Sequence, residues 1–184
     1  MRHPLESIQA SQRRPFFALC LILTLIVIVG MQVVSGPLET AAAPSGIVSY
    51  ELAGDVAAAQ AILDSWDAGV RVRVGFNLGL DYLFLALYST AIACACAWIA
   101  GALRGRVRPL ALMGLTLGWG QWLAALLDAV ENGALLTMLL DVPAQPWPAV
   151  AWWCAVLKFA LVLLGLIYTI VGVILVQYTA RSTT

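Results

Sequence analysis

The chain has 184 residues and zero formal net charge; 62% of it is hydrophobic and 11% charged, with a mean hydropathy of +0.91. Such values fit an integral membrane protein and exclude soluble and disordered classes, and the charge balance gives no electrostatic case for a nucleic-acid partner. The single histidine, His3, falls in the polar N-terminal tail, so His-ligated haem, His metal sites and His proton relays inside a membrane are set aside, and no cofactor or metal is expected.

Residues 1–15 are polar and carry Arg2, Arg13 and Arg14. The charge-free run Phe16–Val34 is long enough to cross a hydrocarbon core of ~30 Å at ~1.5 Å per residue. Although Arg13–Arg14–Pro15–Phe16–Phe17 has a twin-arginine flavour, the run exceeds the usual signal-peptide core of about 7–15 residues, and it is expected to be an uncleaved first span. Residues 35–73 are polar to mixed, with turn chemistry at Ser35–Gly36–Pro37 and Pro44–Ser45–Gly46. Within them, 49–66 predicts one amphipathic helix. Leu52, Val56, Ala59, Ile62, Leu63 and Trp66 make its apolar stripe, opposed by Asp55, Gln60 and Asp64. Such a helix lies on a bilayer surface or caps a bundle, with Trp66 as its interfacial anchor.

The second span is expected over 74–103 with Asp81 as its only charge, followed by Arg104, Arg106 and Arg108. The third covers 109–140. A Pro-rich connection over 141–148 leads to the fourth, 149–178, which contains Lys158 and ends before Arg181. Placing both termini and the 104–108 loop in the cytoplasm puts seven of the ten basic residues inside, as the positive-inside rule asks. The expected architecture is therefore all-α: a single membrane domain over 1–184, a four-helix bundle with N- and C-termini inside and an extracytoplasmic amphipathic helix between spans 1 and 2. Cys20, Cys94, Cys96 and Cys154 all lie in apolar runs and read as buried small hydrophobes.

Asp128, Glu131 and Asn132 sit at i, i+3 and i+4 of the third span and so share one helix face. A charge at membrane depth costs roughly 2.5–3.5 kcal/mol on insertion scales, which partners, water or a ligand must offset. Counted from the cytoplasmic arginines, Asp81, Glu131 and Lys158 are each about 34 Å up their helices and Asp128 about 30 Å, one level near the outer edge of the core. The faces agree. Gly114, Gly118, Gln121, Ala125, Asp128 and Asn132 form a small-and-polar seam on the third span. Ala151, Ala155, Lys158, Gly165, Thr169 and Gly172 form another on the fourth, while Asn77, Asp81 and Tyr88 share a face of the second. The first span has no such seam and is expected to be peripheral.

If all ionise, three carboxylates face one lysine. At least one carboxyl is then expected to carry a proton, unless a cation or Arg71 and Arg73 compensate. Three readings compete: an interhelical ion pair that fixes helix register in a structural or accessory subunit, a binding or catalytic site, and an ion or proton path. In the second, the catalytic set is Asp81, Asp128 and Glu131 as acid/base or hydrogen-bonding groups with Lys158 as their cationic partner, and Asn77, Tyr88, Gln121, Asn132 and Trp66 contact the ligand, Asn132 as an orienting amide. The expected partners are membrane lipids, a lipid-like ligand, and other membrane subunits or a second copy of the chain.

The motifs Tyr50–Glu51–Leu52–Ala53, Ile62–Leu63 with Trp66, Leu80–Asp81–Tyr82–Leu83–Phe84 with Tyr88, and Leu127–Asp128 with Glu131–Asn132 carry a resemblance. Over about residues 50–140 the chain resembles a group of small bacterial four-span membrane proteins. The resemblance implies the four-helix architecture and a bacterial cytoplasmic (inner) membrane, and it carries no activity. Sterol-isomerase-like and sigma-2-receptor-like proteins also pair acidic residues within a few spans, an analogy at the level of fold alone.

Overall fold

The computed structural model describes residues 3–181, and among them every regular element is helical. The chain runs through a 3₁₀ turn at Pro4–Ser7, α1 (Ala10–Ser35), a second 3₁₀ turn at Gly36–Leu38, α2 (Ile47–Glu51), α3 (Val56–Asp64), α4 (Ala68–Leu103), α5 (Arg108–Leu140) and α6 (Trp147–Arg181). Four of these, α1, α4, α5 and α6, are long and apolar enough to cross a membrane. Their hydropathy windows match the sequence expectation, but α1 and α4 begin about two turns earlier than the apolar runs do. Ser11 to Arg14, and Arg71 with Arg73, are good enough helix formers to extend a helix already nucleated.

The predicted single helix over 49–66 is instead two. Gly54 takes a φ of +75°, a left-handed conformation that suits glycine and ends a helical path. Asp55 then starts α3 afresh, its Oδ1 accepting from the Ala58 amide at 2.8 Å. Trp66, expected at an interface, is buried, and its indole N–H donates to the Leu38 carbonyl at 2.9 Å. Arg71 does not compensate the carboxylates. Its guanidinium donates to the carbonyls of Leu63 (2.6 Å) and Trp66 (3.2 Å), closing the C-terminal end of α3 where a cation suits the helix dipole.

The chain divides into two compact units, and the long helices contribute to both. One unit comprises Thr24–Ala86 and Leu126–Lys158. Its core joins Leu38, Tyr50, Ile62, Leu63 and Trp66 of the connector to Val74 and Leu78 of α4 and to Leu135 and Met138 of α5. Tyr50 Oη donates to the Leu135 carbonyl (3.2 Å), so burial of the ring leaves its hydroxyl paired. Asn77 of α4 donates to Ser35 Oγ (3.0 Å) and the Met31 carbonyl (3.5 Å). The first span, expected to be peripheral, is thus tied by polar contacts at its C-terminal end.

The other unit comprises Met1–Leu23, Leu87–Ala125 and Phe159–Thr184. Here the small residues of the seams admit neighbours closely. Gly114 faces the Tyr168 ring, Gly165 faces Gln121 and Ile92, and Gly172 faces Ile99. His3 is buried too, rather than loose in a tail. Its ring lies 5.0 Å from the ring of Trp119 and 4.7 Å from that of Trp122, over the bare Cα of Gly118. Arg2 of the same segment lies outside the described residues. All four cysteines are buried and outside any disulfide.

Candidate functional site

The first compact unit gathers ionisable side chains from α2, α4, α5 and α6. Lys158 stands at the centre. Its Nζ donates to Asp128 Oδ1 at 2.6 Å and to Glu131 Oε1 at 2.9 Å, and lies 3.8 Å from Glu51 Oε2. Asp81 joins through Asn132, whose amide donates to Asp81 Oδ2 at 2.5 Å. Helical spacing explains the α5 contribution: Asp128 and Glu131, three residues apart, lie side by side and take two protons of the same ammonium. Lys158 follows Ala151 and Ala155 on its own face, both fully buried, where small side chains let its stem pass inward.

Burial is nearly complete. Glu131 has no exposed surface, and Asp128, Asn132, Lys158 and Glu51 are all buried. Taking ions out of water is costly, and mutual attraction offsets that cost only when geometry is good and the other lone pairs are occupied. Here the second condition fails at two atoms: Oε2 of Glu131 and Oε2 of Glu51 are buried without a hydrogen-bond partner. Burial pushes the Glu51 carboxyl above its usual range, and the charge of Lys158 pulls the other way.

The expected site residues separate into two groups. Asp81, Asp128, Glu131, Asn132 and Lys158 converge as the ruler of helix rise anticipated. Asn77 belongs to the same unit but bonds to α1, leaving Asp81 to Asn132, and Trp66 is committed to the Leu38 carbonyl. Tyr88 and Gln121 belong to the other unit, where the Gln121 amide donates to the Leu161 carbonyl at 2.8 Å. Glu51 is the residue that sequence reasoning left out of the site. Its only signal was the Tyr50–Glu51 pair in a connector, because no periodicity brings a loop acid to a face of another helix.

The arrangement places three carboxyls within 4 Å of the Lys158 ammonium, with two buried acceptor oxygens that have no donor. No family model, curated protein or solved structure matches the chain.

Proposed function

We propose that the chain is a multi-pass protein of the bacterial cytoplasmic membrane, with both ends inside and the α2–α3 connector outside, and that the Lys158 cluster binds the polar head of a lipid-like or amphiphilic small molecule. The observation that carries this reading is the surplus of acceptors. An ion pair that only fixes helix register needs one carboxylate, whereas three carboxyls stand within 4 Å of Lys158 and two of their oxygens lack a donor. A head group bearing hydroxyl or amine donors satisfies them. Asp81, Asp128 and Glu131 would then orient or exchange protons with the ligand, Lys158 would hold its anionic or carbonyl oxygen, and Asn132 would set the rotamer of Asp81. Isomerisation or hydrolysis is the reaction class such groups suit.

A second reading, an accessory subunit whose charged cluster holds its helices together, draws on a different observation. The cluster is closed to solvent, while the other unit has an open apolar cleft of about 160 Å³ lined by Leu110, Leu117, Leu164 and Tyr168, among others. Native mass spectrometry of the protein released from bacterial-lipid nanodiscs tests the two. Under the first reading the wild type retains a bound small amphiphile, and Asp128→Asn loses it while staying folded. Under the second no ligand is retained, and Asp128→Asn and Lys158→Met lose the fold itself.

A further inference from the structure

Lys158 has three protons to donate and three carboxyls around it, yet the distances are unequal. Asp128 and Glu131 take short bonds of 2.6 and 2.9 Å, while Glu51 stands off at 3.8 Å, beyond hydrogen-bond reach. The two carboxyls farthest from full satisfaction are Glu51 and Glu131, each with a buried oxygen that accepts nothing. Charge is unbalanced in the same place. Glu51, Asp128 and Glu131, with Asp81 behind Asn132, face one ammonium, and Arg71 is taken up by the carbonyls of Leu63 and Trp66. Among the described residues, the buried thiol of Cys154, one turn before Lys158, and the phenol of Tyr50, beside Glu51 in α2, are further titratable neighbours.

A single proton repairs both deficits. It removes one negative charge, and it supplies the donor that two acceptor oxygens lack. It also occupies no volume, which suits a site where Glu131 is wholly buried. We infer that Glu51 and Glu131 share one proton as a carboxyl–carboxylate pair, a proton-binding site that holds α2 against the long helices. The pair belongs to the protein without an amphiphile, where the proton takes the place of a head group's donor at these two oxygens, so the inference does not rest on the ligand reading.

Helix α2 is suited to respond. It lies between Gly46 (φ +56°) and Gly54 (φ +75°), and it carries Glu51 as its last residue. The sign follows from linkage. The folded chain keeps a proton that an unfolded glutamate releases above its ordinary value of 4.5. The pair's contribution to stability is therefore fully present below that value, and it is lost as pH rises through the folded pair's own titration.

Infrared difference spectroscopy on the full chain in nanodiscs tests the pair. The expected result is a protonated-carboxyl band at neutral pH that shifts when the glutamates are ¹³C-labelled. Glu51→Gln and Glu131→Gln should each abolish it, and Asp81→Asn should leave it. In thermal melts Glu51→Gln, which donates as a protonated glutamate does, should melt no lower than wild type at neutral pH and should flatten the fall with rising pH. Absence of the band from the wild type, or a band that shifts only with labelled aspartate, overturns the inference. So does a lower melting temperature for Glu51→Gln with the pH slope unchanged. The isotope test uses the wild type, so it stands even if a variant fails to fold.

Discussion

Replacing Lys158 with methionine isolates the electrostatics of the cluster, because methionine keeps the length and apolar bulk of the stem. The ammonium has contacts at 2.6, 2.9 and 3.8 Å with three carboxyls, and the lysine side chain is only 7% exposed. Removing one partner of a buried pair costs about 3–5 kcal/mol, most of it the penalty of an uncompensated charge. With three acids around one cation, Lys158→Met should fall at the upper end of that range. Adding Asp128→Asn should return part of the loss, since it neutralises the acid with the shortest bond. Couplings between contacting residues run to about 0.5–3 kcal/mol. Unfolding in mixed micelles by a detergent titration, followed by far-UV circular dichroism, measures all three variants. A Lys158→Met loss below about 1 kcal/mol, the size of an exposed pair, would refute the reasoning, as would strict additivity in the double variant.

Two other expectations concern the second compact unit. Gly114→Ala drives a methyl group into the ring and hydroxyl of Tyr168, so it should cost about 1–3 kcal/mol through overpacking. Tyr168→Phe should not rescue it, since the ring carbon stays too close; the same unfolding assay decides. Burial holds the His3 imidazole below its ordinary value of 6.5, with Glu6 pulling it upward. The contribution of His3 to stability is then complete above 6.5 and is lost as pH falls through the folded value. Mild acid should release the N-terminal turn and change the fluorescence of Trp119 and Trp122. His3→Phe should abolish that change; a response surviving the substitution would sink the account.

Hydropathy located the four long helices because it measures apolar length, and for the same reason it misplaced their starts. A charged or polar turn such as Ser11–Arg14 can be helical without being apolar. The break at Gly54–Asp55 was legible in principle, as a helix-ending glycine followed by an N-cap aspartate, but the apolar stripe from Leu52 to Trp66 ran across it and suggested continuity. Counting helix rise from Arg104, Arg108 and Arg181 found Asp128, Glu131, Lys158 and Asp81, since position along a helix is set by sequence alone. The same periodicity put Tyr88 and Gln121 on the faces of Asp81 and Asp128, but both residues belong to the other compact unit. A helix of 36 residues passes through more than one packing environment. Glu51 was out of reach for a different reason: the path of a connector is set by its turns and its buried anchors, here Tyr50 and Trp66.

Having every native thiol buried makes this chain its own blank for labelling from either side of a bilayer. A membrane-impermeant maleimide should leave the wild type unmarked. One cysteine placed at a well-exposed position such as Val142 would then report which compartment that loop meets, without first stripping the sequence of its sulfur.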